Sequence, residues 1–583
     1  MTDRPAPTPP LSGQIRLVPP RRSPPALARA LFEQQRWPEA EAAYDSLRRQ
    51  HPDDPDIAHR HALTLLRQQR SQEASQALRE TLDRWPDFLP ARLNLAAVLR
   101  HALRRPAEAL AVLTPALTTH AGNPTLHFNM GRARQDLLDT EGALDSYRQA
   151  ITLDPHHVRA FSAYAFCSHY LPHPDLDALR DWVTAHARSM VRPGPPLPPR
   201  RASPPGPRLR IGLLSGDLSD HPVAYFLESA LAALQRRGVE LFAYATGDRS
   251  DAVSARLQRL VTRWLPASVM SEVELAQAMA ADRLDVLLDL AGFTNHQRLG
   301  TLMMRPAPLQ LSWLGYFGTL GLSEIDGVIA DPDSVPPQEQ RFFSERVFYL
   351  PRTRLCMSPP ADAPLPSPEP PLARAGGLRF ACLQNVNKIN PRVLGAWQRI
   401  LDAAPQSTLL IRNRQLSQPD VRAAFEARLD ACGIDRSRVE LGRPQPRATH
   451  LARHDDFDVL LDTFPYPGGT TTAEALWMGV PTLTLATPGL LGRQGQSLLH
   501  QVGLDDWVTH SDDAYVERAV ALANDREGTL ATLRHLRGTL RETARTSPLF
   551  DAEAFARDFE ALLRRACTEA AGARGGPPPA GAS

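Results

Sequence analysis

A chain of 583 residues has room for several domains, and its 66 basic residues are balanced by 64 acidic ones, which argues against the strongly basic surface that nucleic-acid binding needs. The five cysteines, Cys167, Cys356, Cys382, Cys432 and Cys567, lack CxxC or Cys/His ligand spacing, so neither a disulfide framework nor a zinc site is expected. No apolar run reaches the ~20 residues that span a bilayer, and the N-terminus is proline-rich instead of signal-like, so a cytoplasmic protein without membrane contact is expected.

One compositional feature points to chemistry. Lys388 is the sole lysine, and every other basic residue counted among the 66 is arginine. A chain that uses arginine elsewhere and keeps one lysine suggests a site that wants a compact ammonium where a planar guanidinium would not fit.

In chain order, residues 1–25 are proline-rich and without periodicity, and read as disordered. Residues 26–190 read as helical repeats. A small residue followed four positions later by a large one recurs as Ala40/Tyr44, Ala74/Leu78, Ala109/Leu113 and Ala143/Tyr147, at intervals of 34, 35 and 34. Helix-ending positions keep the same phase at Pro52, Pro86, Ala121 and Pro155. This is the period of tetratricopeptide (TPR) helix pairs, in which a small residue lets two helices approach and proline closes the second. Such arrays bind extended peptides in a concave groove. Asn94 and Asn129, equivalent in adjacent repeats, offer either donor–acceptor pairs to a bound protein acceptor or an inter-repeat hydrogen bond.

A proline-rich connection at 191–207 marks a change of architecture. Strand-like runs at Leu209–Leu214, Leu241–Ala245, Val286–Leu290, Leu309–Leu314 and Val328–Ala330 alternate with helical stretches and predict a parallel sheet covered by helices over 208–357. After a second proline-rich stretch, 358–376, runs at Leu378–Leu383, Thr408–Ile411, Val439–Leu441, Val459–Leu461 and Thr482–Leu485 predict a second such lobe over 377–566. Helices are expected at Asp175–Met190, Asp512–Asn524 and Asp551–Ala566, and residues 567–583 read as a flexible tail. Two doubly wound lobes imply a ligand in the cleft between them, at the carboxyl ends of strands.

Three segments at strand ends carry candidate chemistry. The run from Asp462 to Glu474 passes from a strand through Gly468 and Gly469 into a helix that starts at Thr470 and Thr471. Glycines, free amides and hydroxyls at a helix start suit an anion such as a diphosphate, and Glu474 is placed to accept from a ribose; a simple capped turn has the same signature. Lys388 follows the first strand of the second lobe, where its charge would offset that of a departing diphosphate and replace a metal ion. No convincing acidic metal motif stands out. His221, in the turn after the first strand of the first lobe, is the general-base candidate, although a histidine before proline also serves as a plain helix start.

Together these segments resemble the protein O-GlcNAc transferases and the plant SPINDLY proteins, through RIGLLSGDLSDHP, RPAPLQLSWLGYFGT, NVNKINP, DTFPYPGGTTTAEALWMGVPTLT and TSPLF, in order, over roughly 208–563 together with the TPR region. The resemblance implies a GT-B fold of two Rossmann-like lobes, metal-independent inverting transfer from a nucleotide sugar to serine or threonine, and no other cofactor. By the same resemblance His221 is the active-site histidine, Lys388 contacts the diphosphate, His450 and Arg453 handle the uracil end, Thr470 and Thr471 bind phosphate, and Glu474 replaces an aspartate that binds ribose. Asn385 stands where the animal enzymes have glutamine, and Gly469 where they have histidine. The animal inter-lobe domain has no counterpart in the 358–376 linker. UDP-GlcNAc is the expected donor. The SPINDLY-like loop keeps GDP-fucose open as an alternative, and an inactive TPR scaffold is the third reading.

Overall fold

The computed structural model describes residues 26–191, 194–195, 197–198, 204–361, 363–443 and 447–574. The disorder expected for 1–25, parts of the 191–207 connection and the last residues of the chain lie outside the described residues. Two compact units are formed, one reaching to Tyr164 with the short segment Gln418–Ala424, the other made of Ala165–Ser417 and Phe425–Ser583.

In the first unit, helices Trp37–Gln50, Pro55–Arg67, Ser71–Arg84, Leu89–His101, Pro106–Leu113, Pro124–Asp136 and Thr140–Leu153 follow one another in pairs. The repeat reading holds in detail: Ala40, Tyr44, Ala74, Leu78, Ala109, Leu113, Ala143 and Tyr147 are each at most 1% exposed. Close approach is literal at Gly131, where a Cβ would lie 2.5 Å from Tyr147 Cε1. Pro52, Pro86 and Pro155 each follow shortly after a helix end, as proline should. The third repeat departs from the pattern. Its second helix stops at Leu113 and continues only as a 3-10 turn, Thr114–Ala116, and a single turn, Leu117–His120, because Pro115 has no N–H to continue the ladder.

Asn94 does not lie open to a groove. Its side chain is 1% exposed, and its Nδ2 lies 2.6 Å from Nε2 of the fully buried His59, one repeat earlier. Burial holds the His59 pKa down to about 3, so the imidazole is neutral and the contact is an uncharged inter-repeat hydrogen bond. Asn129, in contrast, is half-exposed on helix Pro124–Asp136.

In the second unit, β1 (Arg210–Ser215), β2 (Glu240–Ala245), β3 (Arg263–Pro266), β4 (Val286–Asp289), β5 (Leu309–Ser312), β6 (Gly327–Ala330) and β7 (Arg346–Tyr349) form one parallel sheet in the order 3-2-1-4-5-6-7. The strands β8 (Arg379–Cys382), β9 (Thr408–Arg412), β10 (Val439–Gly442), β11 (Val459–Leu461), β12 (Thr482–Leu485) and β13 (Val508–Thr509) form a second, in the order 10-9-8-11-12-13. Every expected strand is present. The three that sequence patterning missed, β3, β7 and β13, are edge strands with partly exposed residues and therefore a weak apolar run. A long helix, Arg526–Thr546, was also not anticipated.

Two boundaries need correction. The last helix runs Ala552–Arg574, so the tail expected from 567 is helical through 574, and Cys567 is buried. That helix also does not complete the second lobe. Its residues Phe555, Phe559, Leu562, Leu563 and Cys567 join the core of the first sheet with Leu209, Leu311 and Trp313, with Trp313 and Phe559 ring centroids 4.6 Å apart. An amphipathic pattern fixes which face is buried but not which lobe buries it. Helix Leu176–Met190, read as part of the helical array, likewise packs within the second unit, where Arg180 donates to Arg341 O.

The burial of Asn94 gives a stability prediction. Asn94→Ala leaves His59 Nε2 unpaired in the core, at a cost of about 1–3 kcal/mol. Chemical denaturation of the full chain should show an earlier transition. Unchanged unfolding combined with weaker acceptor-peptide binding would instead restore Asn94 to a groove.

Candidate active site

Each sheet reverses its direction of winding once, between β1 and β4 in the first and between β8 and β11 in the second. Ligands of open parallel sheets sit outside the carboxyl ends of strands at such a point, where adjacent loops diverge. His221 follows β1, Lys388 follows β8 and the glycine turn follows β11, so the candidates from sequence stand at the switch points of both lobes.

The glycine turn is built around Asp462, which immediately follows β11 and is fully buried. Its Oδ1 accepts from Gly468 N at 2.7 Å, Thr463 N at 3.0 Å and Gln384 Nε2 at 2.9 Å, and its Oδ2 accepts from Thr484 Oγ1 at 2.9 Å. Gln384 is fixed in turn, because its Oε1 accepts from Leu383 N at 3.0 Å. The ends of β8, β11 and β12 thus meet on one carboxylate. A Cβ at Gly468 would collide with Thr471 Oγ1 and Gln384 Nε2, so only glycine fits there.

Lys388 closes a 3-10 turn, Val386–Lys388, whose N-cap is Asn385. Its Nζ donates to Pro467 O at 3.0 Å and lies 3.8 Å from the centre of the Tyr466 ring. A carbonyl and an aromatic face hold the ammonium against the glycine turn. Burial pulls its pKa below the ordinary lysine range, opposed chiefly by the charge of Asp462, and burial raises that of Asp462. An arriving anion would favour the charged lysine.

Helix Thr470–Trp477 starts from Gly469 with no side-chain cap, which leaves its first amides open to a ligand. Thr470 and Thr471 are half-buried, and neither hydroxyl is hydrogen-bonded among the described residues, whereas Thr472 is fully buried. A Cβ at Gly469 would come within 2.7 Å of Gln494 Nε2. One turn on, the buried Glu474 lies 3.6 Å from His450 Nε2, which joins two candidates far apart in sequence. Arg453 is exposed and engaged with Asp456, at 2.6 Å, so it would have to exchange that partner to reach a base. Asn385 is turned onto its own loop, its Oδ1 accepting from Asn387 N at 2.9 Å.

In the first lobe His221 caps the short helix Pro222–Tyr225, accepting from Val223 N at 3.3 Å, and its Nδ1 lies 3.8 Å from Asp217 Oδ2. The helix-start reading of this residue is therefore realised, and the imidazole also has a carboxylate neighbour. Burial lowers its pKa below 6.5, the Asp217 charge opposes this, and Arg249 reinforces it. The ring is neutral near pH 7. Its hydrogen bond with Val223 and its carboxylate neighbour Asp217 both belong to its own lobe, and no hydrogen bond among the described residues joins it to Lys388.

Sequence reasoning passed over Asp462, Gln384, Tyr466 and Gln494. Asp462 and Gln384 had one visible signal, a polar residue directly at the end of an apolar strand. Among the described residues no three His, Cys, Asp or Glu side chains are grouped to hold a metal ion, and no helix is long and apolar enough to cross a membrane.

Comparison with known proteins bears on the family and the fold. A family described as Glycosyl transferase family 41 matches residues 191–357 and 376–559, and a tetratricopeptide repeat matches 25–64. The chain is 35% identical over 364 residues to a Solanum lycopersicum protein named probable UDP-N-acetylglucosamine-peptide N-acetylglucosaminyltransferase SPINDLY, covering 61% of this chain and 38% of that one. It is 24% identical over 478 residues to the Caenorhabditis elegans UDP-N-acetylglucosamine-peptide N-acetylglucosaminyltransferase, covering 61% and 40%. It thus spans well under half the length of these curated relatives. Among solved structures, a lysine-to-methionine mutant of the Thermobaculum terrenum O-GlcNAc transferase superposes with a TM-score of 0.79 at 31% identity, over 92% of this chain and 99% of that one. With TPR helices preceding two Rossmann-like lobes of the GT-B kind, this protein belongs to glycosyl transferase family 41.

Proposed function

We propose that the chain is an inverting transferase that moves GlcNAc from UDP-GlcNAc to serine and threonine hydroxyls of proteins, without a metal ion. The observation that carries this reading is the placement of the sole lysine against the glycine turn that leads into an uncapped helix start. In the reaction the acceptor oxygen attacks the anomeric carbon from the face opposite the diphosphate, the bond from that carbon to the diphosphate oxygen breaks, and the hydroxyl proton passes to His221. Charge then builds on the departing UDP. The Lys388 ammonium, the amides at the start of helix Thr470–Trp477 and the Thr470 and Thr471 hydroxyls stabilise it there. Gly468 and Gly469 keep the turn close to the phosphates, Asn385 borders the lysine, Glu474 with His450 faces the ribose, and Arg453 turns to the base. The repeats hold the protein acceptor, with the half-exposed Asn129 the remaining asparagine of the expected pair.

Lys388 is the decisive residue. Lys388→Ala should lower turnover by a factor on the order of 10²–10³ while changing UDP affinity much less, since the interaction strengthens as charge develops. Lys388→Arg should not rescue it, because the planar fork cannot occupy the place between a carbonyl and a ring face that a point charge fills. Steady-state kinetics near wild type for Lys388→Arg would defeat this role.

Donor identity is read by thermal shift. UDP at 100 times its dissociation constant should stabilise the protein by ~2.7 kcal/mol, with GDP far less effective, and EDTA should leave UDP affinity unchanged. Preference for GDP would favour the second reading, fucosyl transfer from GDP-fucose. Collapse of UDP affinity in EDTA would remove the metal-free mechanism.

The state of His221 is tested by pH. Asp217 raises its pKa, so Asp217→Asn should move the acidic limb of the kcat/KM profile to lower pH. An unmoved limb would mean that another group is the base.

A further inference from the structure

The glycine turn touches a residue from the other lobe through one intermediary. Arg354, which follows β7 of the first lobe, is 2% exposed, and its guanidinium donates to Gln494 Oε1 at 2.8 Å. Gln494 begins helix Gln494–His500 of the second lobe, and its Nε2 donates to Gly468 O at 3.2 Å. The orientation of this amide is set by chemistry: a guanidinium on one side can only donate and a carbonyl on the other can only accept, so oxygen must face Arg354 and nitrogen Gly468. On the same peptide plane's neighbour, Asp462 holds Gly468 N at 2.7 Å. Gly468 is therefore gripped at both its polar atoms, by a carboxylate of its own lobe and, through Gln494, by a cation of the other.

The Arg354 guanidinium is not part of an ordinary buried ion pair: among the described residues it forms no salt bridge, and the neighbouring Asp331, whose charge partly offsets the fall in its pKa caused by burial, accepts from its backbone N–H instead. Its backbone is fixed on both sides: Arg354 N donates to Asp331 Oδ2 at 2.9 Å, and Arg354 O accepts from Trp313 Nε1 at 3.0 Å. The second-lobe side is equally tied down. Arg493 pairs with the buried Glu339, at 2.6 Å, and Ser497 Oγ donates to Asp331 at 3.2 Å. These flanking contacts seat helix Gln494–His500 on the first lobe without reaching the glycine turn. Phe317 of the first lobe packs on Tyr466 of the turn, with ring centroids 5.1 Å apart, and the Arg354–Gln494 relay is the hydrogen-bonded contact that reaches Gly468.

We propose that Arg354 is a positioning residue that orders the anion-binding turn through Gln494, so that the turn is set for a nucleoside diphosphate while the lobes are engaged. This rests on reading the turn as the diphosphate site. A charge-assisted bond at Oε1 polarises the amide and strengthens the donor at Nε2, which points the Gly468 carbonyl away from the place an anion would take.

The test uses the full-length chain with Arg354→Met, Gln494→Met and the double variant, read by amide hydrogen exchange without ligand and by calorimetric titration of UDP and GDP. Each single variant should raise exchange at Gly468–Thr472 and weaken nucleotide binding by about tenfold, the loss expected for one charge-assisted hydrogen bond. Protection of Gln494–His500 should persist. The double variant should be no worse than either single one, because both remove the same relay. Three results would overturn the proposal: unchanged exchange and affinity in both single variants, losses that add in the double variant, or a loss of protection in Gln494–His500 as large as that in the turn. Additive losses would mean that Arg354 acts by its own charge. Should the wild-type chain bind neither UDP nor GDP, the diphosphate reading fails by itself, and the exchange arm still decides the role of Arg354. Gln494→Met keeps the question open to decision if Arg354→Met does not fold.

Discussion

The carboxylate of Asp462 is the interaction on which the site depends. Four donors converge on it, from Gln384 after β8, from the amides of Thr463 and Gly468, and from Thr484 in β12. A buried carboxylate satisfied by this many donors is costly to move, since every departure strands a desolvated polar group. The Pro467 carbonyl that receives Lys388 is therefore presented in a fixed place, and the uncapped helix that starts at Thr470 inherits its direction from the same turn. The first lobe has a smaller version at its own switch point. Asp289, the last residue of β4, is buried, with its pKa raised to about 6 by burial, and accepts from the amides of Ala291 and Gly292. In both lobes an aspartate at the first strand past the switch point sets the loop that faces the cleft.

The division of labour between arginine and lysine follows from their shapes. Arginines here close carbonyl clusters and grip carboxylates: Arg438 reaches Leu401 O, Ala404 O and Ser407 O, and the buried Arg537 spans Asp455, His454 O and Phe457 O. A planar fork with five donors suits such sites. Lys388 is placed differently, its ammonium resting on one carbonyl and one ring face. A guanidinium in that space would reach for several acceptors at once and spread the charge that the compact ammonium concentrates.

The lobes are tied by more than the linker. The last helix returns to the first sheet and places Phe555 and Phe559 beside Trp313, whose indole nitrogen donates to Arg354 O. The end of the chain thus braces the residue that, on the inference above, holds the glycine turn of the second lobe. Packing, backbone hydrogen bonds and a side-chain relay run without a break from the first core to the candidate anion site.

What the sequence by itself determined is what depends on local spacing. The TPR phase was legible because Ala40, Ala74, Ala109 and Ala143 must each be small where helices touch, and the inner strands because they are buried on both faces. Lys388 and the Gly468–Gly469 turn were legible because lone residue types and glycines at strand ends answer to local demands. Tertiary structure alone decided the rest. Asn94 became a core hydrogen bond because His59, 35 residues away, faces it. The final helix chose the first lobe although its pattern is silent on the partner, and edge strands β3, β7 and β13 formed where half-exposure erases the apolar run. The grip of Arg354 on Gln494 joins residues 140 positions apart and leaves no periodic trace, because a hydrogen bond between distant segments is specified by where the fold brings them and not by either segment's own spacing.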